Sequence, residues 1–174
     1  MEIELIESVA MADAQRAEVL ELCAEAYGEN LTQYLADAGP GFHLLGRVRG
    51  ILVSHAMVVS RTLQLGDGQH LRTAYVELVA THSRERRRGY ASEILRELAG
   101  RIDDFDIGAL APSDEAFYAR LGWETWRGAL LVRTETGLVP TPDEQLMVLR
   151  LPRTPPALRL DQSVSIEWRP GEVW

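Results

Sequence analysis

The stretch that most constrains the fold runs from Tyr75-Val76-Glu77-Leu78-Val79-Ala80-Thr81, through His82 to Glu85, into Arg86-Arg87-Arg88-Gly89-Tyr90-Ala91. The first part reads as a buried strand. After the loop the period turns helical over 90–102, with Ala91, Ile94, Leu95, Leu98 and Ile102 on one stripe. A helix N-terminus leaves about four backbone N–H groups without helical partners. Those donors and the helix dipole together form a cradle for a diphosphate. Gly89 lets backbone approach a ligand closely, Ala91 leaves room beside it, and Arg86, Arg87 and Arg88 add positive charge. Taken alone, such a turn also fits a solvated basic run at the start of a surface helix.

The flanking segments predict a mixed α/β domain spanning 1–174. Residues 12–27 carry Val19, Leu20, Cys23, Ala26 and Tyr27 at helical spacing, with Gly28 as a stop. A second helix is expected up to about Asp37, before Ala38-Gly39-Pro40-Gly41. Strands follow at His43–Val48 and Ile51–Leu63, joined at Arg49-Gly50 as a hairpin. Gly66-Asp67-Gly68 is a second turn, leading into a strand over Ala74–Thr81. Further on come a strand at Asp106–Ala111, a helix capped by Ser113 and ended by Gly122, and strands at 123–133 and 145–151. An irregular segment opens at Arg153-Thr154-Pro155-Pro156. Helices, then antiparallel strands, then strand–helix–strand–helix imply a sheet with helices on both faces.

Charge and cysteine content narrow the function. A formal net charge of −8 argues against broad nucleic-acid binding, which needs a basic surface, and is compatible with a cationic small molecule. No apolar run approaches the roughly 20 residues that span a bilayer, and the acidic start Met1-Glu2-Ile3-Glu4 is not read as a secretion signal. Cys23 is the only cysteine, which suits a reducing cytoplasm and a place in the core. The four histidines show no paired zinc spacing, so no metal is expected. A nucleophile elbow and a P-loop are both missing, so a covalent enzyme intermediate is not expected.

The loop resembles the acyl-CoA motif of the GNAT acetyltransferase superfamily, Gln/Arg-x-x-Gly-x-Gly/Ala, in Arg86-x-x-Gly89-x-Ala91. Phe117-Tyr118-Ala119-Arg120-Leu121-Gly122-Trp123 is similar to its second signature, a helix ending in Tyr-x-x-x-Gly-Trp/Phe. The resemblance implies the GNAT fold, with a fourth strand that carries a bulge and splays from the fifth, and acetyl-CoA as cosubstrate. It implies that Val79, Ala80 and Thr81 hold the acyl end and pantetheine, and that Arg86, Arg87, Arg88, Gly89, Tyr90 and Ala91 hold the diphosphate. The Val79 N–H would polarise the thioester carbonyl, and Tyr118 would serve the sulfur. Tyr118 also fits a plain core aromatic with its hydroxyl at the edge.

Tyr75-Val76-Glu77-x-Val79-Ala80, Thr141-Pro142-Asp143 and the closing Trp168-Arg169-x-Gly171-Glu172-Val173-Trp174 narrow the resemblance to the aminoglycoside 2′-N-acetyltransferases. That similarity implies a cationic amino-sugar acceptor and a homodimer, with the tail 152–174 contributing to the acceptor site. Asn30, Glu77, Leu78, Asp143, Glu144, Glu172, Val173 and Trp174 would form the substrate side. Glu77, on the central strand, is the candidate base for the incoming ammonium; an ion pair with Arg72 or Arg133 is its alternative. Asp143 and Glu144 also fit a solvated turn, and the tail a frayed terminus. The chain departs from the subfamily at Asn30, where an aspartate is usual, and at Ala111-Pro112-Ser113, where a serine-rich strand end is usual. A GNAT enzyme for another amine (polyamine, amino acid or protein) and a non-catalytic acyl-CoA sensor are the other readings.

Overall fold

Arg49 and Gly50 both take positive φ, 52° and 79°, as a two-residue hairpin turn of the primed type requires. In the computed structural model, which describes residues 1–174, this turn joins β2 and β3. The elements run β1 (Glu2–Glu7), α1 (Asp13–Tyr27), α2 (Thr32–Ala38), β2 (Gly41–Val48), β3 (Ile51–Leu65), β4 (His70–Thr81), α3 (Tyr90–Ala99) and β5 (Ile107–Leu110). They continue α4 (Glu115–Ala119), β6 (Glu124–Thr125), β7 (Leu130–Thr134), β8 (Gly137–Pro140), β9 (Met147–Arg150) and β10 (Val164–Glu167). The chain divides into two compact units, one of Met1–Val59 with Val76–Gly100, the other of Ser60–Tyr75 with Arg101–Trp174.

In the first unit β1, β2 and β3 form an antiparallel ladder, with a bulge at Gly46/Arg47. Side chains alternate between the faces of a strand, and β2 uses both. His43 reaches His55, which lies against Cys23 of α1. On the opposite face, a Cβ on Gly46 would lie 3.1 Å from Ile94 of α3. Thus α1 and α3 cover the two faces, burying Val19, Leu22 and Cys23 from one and Ile94, Leu95 and Leu98 from the other. α1 ends as expected at Gly28, which at φ 78° returns its N–H to Ala24 O. α3 stops at Ala99, before the expected 102, because Gly100 caps it.

In the second unit the hydrogen-bonded order is β6-β9-β5-β4-β3-β10-β7-β8. β5 is parallel to β4, and β10 is parallel to β7; the β10–β3, β5–β9, β6–β9 and β7–β8 pairs are antiparallel. The β4–β5 ladder pairs only Thr73, Ala74 and Tyr75 with Ile107, Gly108 and Ala109, while β4 continues to Thr81. Gly108 is packed closely, a Cβ there lying 3.3–3.4 Å from Ile102, Leu149 and Trp123.

The strand expected over 123–133 is two strands, because Trp126 donates its Nε1–H to Gln162 O, and Gly128 lies so close to that carbonyl that a Cβ would collide with it. The segment after Arg153, expected to be irregular, contains β10, whose strand character comes from neighbours on both sides, β3 and β7. α4 is capped by Asp114, whose carboxylate accepts from Phe117 N–H, not by Ser113.

Arg61, only 5% exposed, ties the C-terminal segment down. It donates to Glu167 Oε1 (2.7 Å), Glu167 O (2.6 Å) and Val173 O (3.1 Å). Arg61→Met deletes all these donors and is expected to destabilise the fold by about 2 kcal/mol. Urea unfolding and amide exchange over 168–174 check this: exchange unchanged from wild type would show that Arg61 does not hold the tail.

Candidate active site

In the first unit, β4 ends at Thr81 and the chain passes through a 3-10 turn, Ser83–Glu85, before α3. Arg87 (φ 65°) and Gly89 (φ 86°) lie in the left-handed region, and alternation of this kind turns successive N–H groups into an anion-binding concavity. α2 and α4 are given side-chain acceptors at their starts, Asn30 Oδ1 on Thr32 N–H and Asp114 Oδ1 on Phe117 N–H. The N-cap of α3 is Gly89, which has no side chain to offer. Its leading donors are thereby left for an incoming anion. A Cβ on Gly89 would meet no protein atom within 4 Å, so the space before the helix is open. Arg86, Arg87 and Arg88 are exposed, and Arg88 is paired with Glu85 at 3.1 Å. Arg86 to Ala91 therefore fit a diphosphate.

The same unit carries the end of β4. Glu77, Leu78 and Ala80 are buried; Val79 and Thr81 are half-buried. Leu78 is a non-glycine residue at φ 50°, a local break in an extended strand. The carbonyls after it are held in place: Val79 O accepts from Tyr27 Oη (3.2 Å) and Ala80 O from Ser54 Oγ (3.1 Å). Ser54 Oγ also lies 3.1 Å from Thr81 Oγ1. Of the two arginines named as alternatives for Glu77, Arg72 pairs with Asp104 and Arg133 with Glu167. Asn30 is exposed and its side-chain oxygen accepts from Thr32 N–H at the start of α2.

Sequence reasoning missed Tyr27, Ser54, His43 and His55, which support β4. His43 Nδ1 is 2.9 Å from His55 Nε2, and His55 Nδ1 is 2.8 Å from Leu78 O. Burial, then the charge of Arg16, pushes His43 down to about 4. Burial, then His43, pushes His55 down to about 3, against the pull of the Leu78 carbonyl. Cys23, which touches His55, is pushed by burial up to about 12; its thiol is no nucleophile at neutral pH.

In the second unit Tyr118 is 5% exposed, edge-on to Phe117 and Trp123. Burial raises its pKa, opposed by a hydrogen bond with Ser113 and reinforced by Asp114. The phenol is therefore protonated at neutral pH. The tail is folded: Trp174, 6% exposed, donates Nε1–H to Thr141 Oγ1 at 2.9 Å. Arg169 Nε donates to Glu172 O at 2.6 Å. Trp174 thus meets the loop that carries the exposed Asp143 and Glu144, and Glu172 is exposed beside it in sequence. No group of three or more His, Cys, Asp or Glu side chains is arranged to hold a metal ion. No helix is long and apolar enough to cross a membrane.

The chain matches the family model of the acetyltransferase (GNAT) domain over residues 9–126. It belongs to the GNAT acetyltransferase family. It is 36% identical over 141 residues to an aminoglycoside 2′-N-acetyltransferase of Mycolicibacterium fortuitum, covering 77% of this chain and 71% of that one. The fold is similar to the GNAT N-acetyltransferase YhbS of Escherichia coli, solved in complex with CoA (TM-score 0.62, 14% identity, 96% of this chain and 88% of that one). It is also similar to a GCN5-related N-acetyltransferase from Kribbella flavida (TM-score 0.58, 21% identity), covering 74% of this chain but only 34% of that larger one. The GNAT family uses acetyl-CoA, and the acetyltransferase activity follows from membership.

Proposed function

We propose that this GNAT enzyme acetylates a primary amine of an amino sugar, of the aminoglycoside 2′ type, by direct attack in a ternary complex. The observation that carries this reading is the 36% identity to an aminoglycoside 2′-N-acetyltransferase across 77% of the chain. A tail held by Arg61 and Thr141 rather than frayed supports it. Acetyl-CoA supplies the activated acetyl group, its diphosphate held by the backbone of Arg86 to Ala91 with the three arginines, and its pantetheine by Val79, Ala80 and Thr81.

Glu77 takes the proton of the substrate ammonium, directly or through water, or holds the cation until it is lost. The Val79 N–H donates to the thioester carbonyl oxygen, where negative charge grows as the N–C bond forms; such a fixed donor contributes about 3 kcal/mol. Tyr118 donates its proton to the sulfur as the C–S bond breaks, and the second proton shed by the acetylated nitrogen restores the phenol. Asp143, Glu144 and Glu172, with the Trp174 ring as anchor, provide anions for the other amines of a polycationic sugar, alongside Asn30, Leu78 and Val173. A net charge of −8 favours the approach of such a substrate.

Coupled thiol release against a panel of aminoglycosides and simple amines tests this reading. Turnover with amino sugars is expected, with Tyr118→Phe lowering kcat about tenfold to thirtyfold and leaving KM for acetyl-CoA nearly unchanged. Turnover of polyamines or peptide amines with none of the amino sugars would remove the acceptor assignment.

A further inference from the structure

We propose that His43 and His55 are positioning residues that aim the Val79 N–H at the thioester carbonyl, and this rests on the role given to Val79 above. The reasoning starts from the peptide plane. Leu78 C=O and Val79 N–H belong to one planar trans unit, so they point in opposite directions. Holding the carbonyl therefore sets the direction of the N–H. Leu78 O is held at 2.8 Å by His55 Nδ1, from the side of the sheet covered by α1. Leu78 itself sits at φ 50°, a conformation that a branched side chain holds only when its surroundings enforce it.

The tautomers follow from the same contacts. A carbonyl only accepts, so His55 carries its proton on Nδ1 and presents a bare Nε2. His43 must then donate from Nδ1 across the 2.9 Å contact, leaving its own Nε2 bare. Ser8 Oγ lies 3.1 Å from that nitrogen and 2.9 Å from Gly41 O, its one proton facing two acceptors, while Gly41 N–H donates to it. The result is a one-way relay, His43 to His55 to Leu78 O, with Ser8 Oγ in contact with the outer nitrogen of His43 and donating to Gly41 O. Ser8 at the end of β1 is half-buried, and both rings are fully buried. A ring pair with both tautomers set in this way is more than filler: a leucine of similar volume fills the space but leaves the Leu78 carbonyl unheld.

The test separates filling from aiming. His55→Leu is expected to lower kcat about tenfold, with CoA affinity by calorimetry within about threefold of wild type. His55→Asn places an amide N–H where Nδ1 was and is expected to recover most of kcat. Unchanged turnover in folded His55→Leu, or His55→Asn as slow as His55→Leu, overturns the proposal. Two further readouts need no turnover. Nitrogen-15 spectra of labelled histidine in the wild-type protein are expected to show both rings protonated on Nδ1; protonation of His55 on Nε2 overturns it. On titration with acetyl-CoA the Val79 amide resonance is expected to shift in wild type and in His55→Asn but not in His55→Leu. A wild-type enzyme silent towards every amine would count against the acceptor assignment, with these two readouts still deciding the role of the histidines.

Discussion

Replacing Gly89 by valine is expected to weaken CoA binding at least about 100-fold while leaving the protein folded. Gly89 sits at φ 86° with no protein atom within 4 Å of a Cβ built on it. The cost to folding is thus confined to forcing an L side chain into the left-handed region, about 1–2 kcal/mol. The cost to the ligand is larger, because the new methyls stand in open space directly before the uncapped start of α3. A diphosphate needs close approach to bare N–H groups there, and a displacement of about 1 Å forfeits most of several charge-assisted bonds at once. Calorimetry with CoA reads the affinity, and thermal unfolding confirms the folded state. Gly89→Ala, with one methyl, is expected to fall between. Undiminished affinity in Gly89→Val would show that the diphosphate lies elsewhere.

The second large effect is acid destabilisation. His43 and His55 have folded pKa values of about 4 and about 3, against 6.5 when free. A histidine held neutral by burial binds its proton more weakly folded than unfolded. The unfolded chain therefore takes up more protons as pH falls below 6.5, and stability declines in that direction. The contribution is fully present above 6.5 and is lost as pH drops, towards 4 for His43 and towards 3 for His55. With two such groups the slope approaches about 2.7 kcal/mol per pH unit, and the loss between pH 7 and pH 5 is about 4 kcal/mol. Urea midpoints across that range measure it. The double variant His43→Gln/His55→Gln, which has no proton to gain, is expected to show a flatter profile. Parallel profiles for the two proteins would place the acid sensitivity in other groups.

Much of this architecture was legible in the residues. The helical stripe of α3, the Arg49-Gly50 turn and the Gly28 stop are local features, set by period and by positive φ; the turn and the stop stand where the pattern put them, and α3 starts where expected but ends three residues early. The strand–loop–helix passage from β4 to α3 was equally legible, because it needs only a glycine, a helix start and a preceding strand. β10 was not legible, since Val164-Ser165-Ile166-Glu167 becomes a strand only through partners far away in sequence. The break at Trp126–Ala129 likewise depends on Gln162.

For the candidate site the division is similar. By itself the sequence determined the acetyl-CoA signature, the Tyr118 helix and an unusual closing run, because those motifs are continuous in the chain. Only the tertiary structure decided that the closing run is anchored, through Arg61 and Thr141, and that Arg72 and Arg133 are engaged by Asp104 and Glu167. It alone brought Ser8, His43 and His55 into one hydrogen-bonded chain ending on Leu78. The reason is physical. A turn or a helix start is specified by neighbours a few residues away, whereas a buried polar group is specified by whichever distant atom satisfies it.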